Sequence, residues 1–260
     1  MHTIELVDLN QHHDAALLRR VYDELYCPTF IDPDEQETLE QYRSRLFDPL
    51  LPPPQPVTHF VVAGRNLKRG REAELLGFII FESYRESVCG LMTYLVTVPA
   101  ARGQGLGKRL VAEAQTALRR DMEAWHGRPD GLRAIFAEVH DPGRVVADRD
   151  VINPSVRLEI MRRLGAAQVP IHYVQPELYP GGQRSRQLLL TAFPLQGTVP
   201  PQVLSAMVVT AFLHEFYRAL GVAHPESDAD FRAMQVELDR AKHESPAASA
   251  PPLPCVRIVD

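Results

Sequence analysis

The sequence predicts a mixed α/β fold of α+β character: a central mixed sheet flanked by helices, followed by a C-terminal helical extension. Three observations predict it. Alternating apolar runs and runs at helical spacing follow one another as strand, helices, three strands, helix, strand, helix and two strands. A single glycine-rich turn joins an apolar strand to an amphipathic helix near mid-chain. Beyond about residue 196 the strand pattern stops and helical spacing takes over.

The elements follow in order. Residues 3–9 alternate Ile4 and Leu6 with polar neighbours and fit a short strand. Residues 13–26 place Leu17, Leu18, Val21 and Leu25 at helical spacing, and 32–47 open on Asp32-Pro33, a favourable helix start. The proline-rich stretch 49–56 blocks regular structure. Strands are expected over 57–63, 75–84 and 88–98, with the polar link 64–74 joining the first two as a hairpin. A helix over 105–124 carries Leu106, Leu110, Val111, Ala114 and Leu118 on one face. Next come a strand at 132–139, a loop at 140–152, a helix at 154–164 ended by Gly165, and strands at 167–173 and 187–193. Helices at 203–220 and 228–242 follow, and the Pro/Ala/Ser-rich stretch from 244 reads as a mobile tail.

Composition narrows the function. Among 260 residues, 45% are hydrophobic and 23% charged, as in an ordinary globular chain able to bury a sizeable core. The net charge of −5, with no basic block, gives no electrostatic reason to expect nucleic acid. Arg19-Arg20 and Arg162-Arg163 read as solvated helix faces. Cys27, Cys89 and Cys255 are far apart and odd in number, which argues against a disulfide framework or a zinc ribbon. Cys89 reads as an inert core residue, and no metal is expected. The first ten residues lack an apolar signal region, and the longest apolar stretch, 203–213, is too short to span a bilayer. A cytoplasmic location without a membrane partner is the expectation.

The chemistry lies in Leu95-Val96-Thr97-Val98-Pro99, which ends a strand, and in Arg102, Gly103, Gln104, Gly105, Leu106, Gly107, Lys108 and Arg109, which open a helix. Glycines there permit positive φ and close approach of a ligand to the main chain. A helix N-terminus adds unpaired N–H groups and partial positive charge, a combination suited to phosphate. Arg102, Lys108 and Arg109 can add charge around it. Two familiar phosphate loops fail. A P-loop needs glycine at position 102 and Ser or Thr at position 109, where the chain has Arg102 and Arg109. A dinucleotide fingerprint begun at Gly103 needs glycine at position 108 and meets Lys108. A merely tight strand-to-helix turn is the competing reading.

This run resembles the acyl-CoA signature of the GNAT superfamily, Q/R-x-x-G-x-G/A, carried here as Arg102-x-x-Gly105-x-Gly107 with Pro99 and Gly103 alongside. The strand at 134–139, Asn153 and Ser155, and the helix ending in Arg163-Leu164-Gly165-Ala166 are similar to the superfamily's second half. The resemblance implies a GNAT-like acyl-CoA N-acyltransferase domain at 1–196, a helical extension at 197–243 outside the usual core, and a flexible tail at 244–260. It implies acetyl-CoA or another acyl-CoA as donor, with the pantetheine arm between the fourth and fifth strands. Main-chain groups at Leu95, Val96, Thr97 and Val98, with Asn153, would belong to the donor site. The acceptor would be a primary amine on a small molecule or a protein.

Such a reaction needs a proton acceptor and an oxyanion donor. Glu138 is the first candidate base, because the ribosomal-protein alanine acetyltransferases of this superfamily carry a catalytic Glu in a similar setting. A carboxylate paired with a neighbouring arginine is the competing reading. Glu82 and Tyr84 are second choices, and His140 reads as a solvated loop histidine. Many relatives place a tyrosine four residues before the helix-ending glycine to protonate the thiolate. Here that position is Met161, so the role falls to Tyr94 or water, or the thiolate leaves unaided. Arg144, Asp148, Arg149 and Asp150 give the 140–152 loop two charges of each sign, and the loop could close over the acceptor. Asp32, Asp34, Glu35, Glu37 and Glu40 would suit a cationic amine or simply form a solvated face. The wide apolar face of Val203, Leu204, Met207, Val208, Ala211, Phe212, Phe216 and Leu220 needs cover, from the chain itself or a homodimer more than from a partner protein. A non-catalytic acyl-CoA sensor or scaffold is the competing function.

Overall fold

A computed structural model of the chain describes residues 3–32, 36–48, 50–128, 131–145, 153–179, 181–195, 203–243 and 253–260. Strand β1 (Glu5–Asp8) leads to helix α1 (Ala15–Val21), capped by Asp14, whose carboxylate accepts from the N–H groups of Ala16 and Leu17. A π-helical turn, Tyr22–Tyr26, continues it into the short α2 (Cys27–Thr29). Helix α3 (Leu39–Phe47) precedes strands β2 (Val57–Arg65), β3 (Glu74–Tyr84) and β4 (Cys89–Thr97). Helix α4 (Leu106–His126), β5 (Ala134–His140), α5 (Pro154–Arg163), β6 (Ala167–Gln168) and β7 (Leu188–Phe193) follow. The chain ends with β8 (Val203–Ser205), α6 (Ala206–Ala219), α7 (Ala229–Ala241) and β9 (Arg257–Val259).

Seven strands form one sheet in the order β1-β2-β3-β4-β5-β7-β6. Every neighbouring pair is antiparallel except β4 and β5, which run parallel through the α4 crossover. This is the mixed sheet that the element order predicts.

Helices cover both faces. On the back, Leu106, Leu110, Ala114, Leu118 and Met122 of α4 pack on Ile79, Phe81, Met92 and Ile135. Burial of each such leucine is worth about 1.5–3 kcal/mol. Gly90 permits the close approach, because a Cβ there would lie 2.5 Å from Leu118. On the front, the β1-side half carries Leu17, Leu18, Tyr26, Tyr42 and Leu46 on Phe60, Phe78 and Ile80. The other half of the front carries α6 and α7, with Val209, Phe212, Leu213, Phe216 and Met234 on Leu91, Phe136 and Leu190. The face of α6 that the chain covers is Ala206, Val209, Phe212, Leu213, Phe216 and Tyr217; of the apolar face expected from the sequence, Phe212 and Phe216 are buried while Val203 and Met207 stay exposed. Cys89 is buried in this cluster, and burial pushes its thiol up to about 12.

Four expectations change. The acidic helix expected from 32 starts at Leu39, where Thr38 and Gln41 form a capping box, so Glu37 precedes it; Asp34 and Glu35 lie outside the described residues. The strand expected over 167–173 is only Ala167–Gln168, because Pro170 has no amide to continue the ladder. The helix expected from 203 begins at Ala206, since Ser205 caps it and Val203–Ser205 pairs with β9. The mobile tail expected from 244 is in part a packed segment. Leu253, Val256 and Ile258 are buried, and Gln168 exchanges main-chain hydrogen bonds with Pro254 and Val256; residues 244–252 lie outside the described residues.

Candidate active site

Two geometries at β4 define the site. Its ladder to β5 runs from Cys89↔Ala134 to Met92↔Ala137 and stops. Beyond that point β4 stays on β3 as far as Thr97, while β5 stays on β7 as far as His140. The two strands diverge from Thr93 onward. A bulge sits at the same place: Met92 faces Phe81 and Tyr94 faces Ile80, leaving Thr93 as the extra residue, its hydroxyl donating to the Ile80 carbonyl. The bulge inverts the alternation, so Tyr94 and Val96 join the front core and Leu95 packs on the back.

At the end of β4, Val98 leads into a single 3-10 turn, Pro99–Ala101. Gly103 and Gly105 then adopt φ of +75° and +78°, the left-handed region that favours glycine. A Cβ on either would meet nothing within 4 Å, so this backbone faces open space. Gly105 is the N-cap of α4, no side chain caps the helix, and its first turn carries no acid. The leading N–H groups thus point outward uncapped, as an anion site requires. A small cleft of about 270 Å³ lies beside this turn, lined by Lys108, Val111, Gln115, Arg163 and Gly165.

The predicted donor-site residues separate into groups. The Leu106 side chain is buried in the back core, leaving its main chain to the loop. Arg102 folds onto the Thr97 carbonyl and Gln104 onto the Ala100 carbonyl. Arg109 reaches the Ile4 carbonyl at β1, while Lys108 lines the small cleft. Asn153 caps α5, its side-chain oxygen accepting from Ser155 N–H at 2.9 Å. Met161 packs into the apolar clusters behind the sheet.

On the front face a cavity of about 570 Å³ opens over β3, β4 and β5, between the two helical groups. Glu82, Tyr84, Tyr94, Glu138 and His140 all line it, so the structure gathers every predicted catalytic candidate into one chamber. His140 departs from its expected place in a solvated loop. β5 extends to it by pairing with Leu188, and it is buried. Arg144 pairs with Asp141 at 3.3 Å; Asp148, Arg149 and Asp150 lie outside the described residues.

The two carboxylates on the cavity floor are held differently. Glu82 takes Arg45 on one oxygen at 3.2 Å and the Tyr84 hydroxyl on the other at 2.7 Å. Arg45 also pairs with Glu37, which accepts from the Tyr42 hydroxyl at 3.0 Å. Glu138 receives the Tyr173 hydroxyl at 2.5 Å and the Gln175 amide at 2.8 Å, both on Oε1. Burial, together with the adjacent carboxylates, raises the Tyr84 and Tyr173 hydroxyls well above the ordinary tyrosine range, so both remain proton donors to these acids. Arg45, Tyr173 and Gln175 were not legible as site residues, because no local motif marks a contact across the fold.

Residues 18–138 match the family model described as the Acetyltransferase (GNAT) family. Residues 18–138 carry a GNAT acetyltransferase domain. A solved structure assigned to the GNAT acetyltransferases, from Bacteroides thetaiotaomicron, is 18% identical, with a TM-score of 0.50 over 85% of this chain and 98% of that one. The ribosomal-protein-S18-alanine N-acetyltransferase of Escherichia coli is 12% identical, with a TM-score of 0.42 over 77% of this chain and 98% of its own. Nourseothricin acetyltransferase is 19% identical, with a TM-score of 0.35; the match covers 53% of this chain and spans 65% of that protein. No curated protein sequence matches. The GNAT domain supports acyl transfer from CoA, and the structural likeness shows the fold. No helix among the described residues is long and apolar enough to cross a membrane.

Proposed function

We infer that this GNAT protein transfers an acetyl or similar acyl group from CoA to a primary amine by direct attack. The observation that carries the reading is one continuous arrangement: an uncapped, glycine-started helix N-terminus at the end of a strand that has just parted from its neighbour, beside a carboxylate-floored cavity. The exposed amides from Gly103 to Lys108 suit a diphosphate, and Lys108 adds charge nearby. The edge of β4 left without β5 suits the amide-bearing arm of the donor.

Glu138 takes a proton from the acceptor ammonium, and the freed nitrogen lone pair attacks the thioester carbonyl. A main-chain N–H on the diverging part of β4 donates to the oxyanion. Collapse of the tetrahedral intermediate breaks the C–S bond, and the second proton on nitrogen passes to the departing thiolate through Tyr94 or water, giving neutral amide and thiol. Glu82, already tied to Arg45 and Tyr84, is the second candidate. The test uses a panel of acceptors: free-thiol release from acetyl-CoA with small primary amines and a peptide bearing a free N-terminus. Release that needs both enzyme and amine supports the transferase. Acetyl-CoA binding without release from any amine supports the sensor instead.

A further inference from the structure

The C-terminal helical unit does more than cover the sheet. Phe216 and Leu220, at the end of α6, line the same cavity as Glu82 and Glu138. Phe216 lies edge-on to Tyr84, with ring centroids 6.1 Å apart, and Tyr84 is the residue that donates to Glu82. Across the chamber stand Phe30 and Tyr94, themselves packed edge-to-face at 4.6 Å. The cavity therefore has a polar floor and two apolar patches on its walls, one supplied by the GNAT domain and one by the extension, with Arg157 and Glu177 also in the lining.

The second wall is fixed in place. Buried Glu215 accepts the N–H groups of Glu86 and Ser87 at 2.9 and 2.7 Å, which locks α6 to the β3–β4 turn. The Tyr217 hydroxyl donates to the Val174 carbonyl at 2.7 Å, next to both residues that hold Glu138. At the rim, the Gln55 amide donates to the Ala219 carbonyl at 3.0 Å, joining the proline-rich loop to the helix end. A wall held from three directions shapes a ligand rather than yielding to it.

We propose that Phe216 and Leu220 are specificity residues of the acceptor site, holding the apolar body of an amine whose nitrogen lies at the carboxylate floor. The acceptor class is then a primary amine on an aromatic or branched aliphatic frame. This rests on the transferase reading above. An acceptor with an apolar body gains from contact with both apolar patches, whereas a polyamine would place its second charge by Glu177, which makes spermidine the discriminating competitor.

The experiment is steady-state kinetics with phenethylamine, n-butylamine, methylamine, spermidine and a free-N-terminal tripeptide, on the wild type, Leu220→Ala and Leu220→Asp. Wild-type kcat/KM rises from methylamine to phenethylamine. Leu220→Asp lowers the phenethylamine-to-methylamine ratio by about tenfold or more, mostly through acceptor KM, with the KM for acetyl-CoA unmoved; Leu220→Ala gives a smaller fall in the same direction. A melting temperature near that of the wild type shows that each variant is folded. Preference for spermidine or the tripeptide, or a ratio unaffected by both substitutions, overturns the proposal and leaves the transferase standing. Thiol release from no amine at all overturns both.

Discussion

The Tyr173 hydroxyl donates to Glu138 Oε1 at 2.5 Å although 35 positions separate them. The bond stabilises the ionised carboxylate, so its loss disfavours that form. Glu82, Tyr84, His140, Arg157 and Gln175 line the same chamber and are left in place by the change. Tyr173→Phe is expected to move the acidic limb of the kcat/KM profile to higher pH, with binding of acetyl-CoA kept. A profile identical to the wild type would show that this contact does not act on the base.

Glu138→Gln keeps the shape of the side chain and removes its basicity. Turnover should fall by about 10²–10⁴-fold while the affinity for acetyl-CoA stays near that of the wild type. Single-turnover thiol release separates the two quantities. Unchanged turnover would transfer the base role to Glu82 or His140.

Buried His59 lies between two carboxylates, with Nδ1 2.7 Å from Asp8 and Nε2 2.8 Å from Asp121, and stacks on Phe81. Burial lowers its pKa, but the hydrogen bonds to Asp121 and Asp8 outweigh that and raise it to about 9. A folded-state pKa above the unfolded value means that the stabilisation is complete below about pH 6.5 and is lost as pH rises through about 9. The contribution is on the order of a few kcal/mol. Denaturant unfolding across that window should show declining stability for the wild type and a flatter profile for His59→Gln. Parallel profiles would contradict the charged-histidine account.

Phe212 stacks on Phe136 with ring centroids 4.3 Å apart and joins the extension to the sheet. Phe212→Ala should cost about 3–5 kcal/mol in a single unfolding transition shared with the GNAT domain. Two separate transitions would show that the extension folds independently.

The backbone geometry of the glycine-rich turn was legible because its requirements are local. Positive φ, an uncapped helix start and a preceding strand are all written in consecutive residues from Leu95 to Arg109. Catalytic candidates on β3, β4 and β5 were legible through strand ends. The capping box at Thr38 and Gln41 was present in the sequence, yet the acidic run before it suggested an earlier start. The bulge at Thr93 left no comparable mark: an alternating pattern does not say where one residue is added, and that residue decides which face Tyr94 takes. Tyr173, Gln175 and Arg45 reach the site only through tertiary packing. The Pro/Ala/Ser run before Leu253 concealed a segment that packs on β6 and β8.

The central claim is that main-chain amides between Gly103 and Lys108 grip the diphosphate of CoA, and calorimetric titration of CoA tests it most directly. Wild type should bind saturably, one CoA per chain. Gly105→Glu should fold, since a Cβ at this position meets nothing within 4 Å and the positive φ costs roughly 1–2 kcal/mol, but should not bind CoA. No heat from the wild type at millimolar CoA, or equal affinity in the variant, would contradict the account.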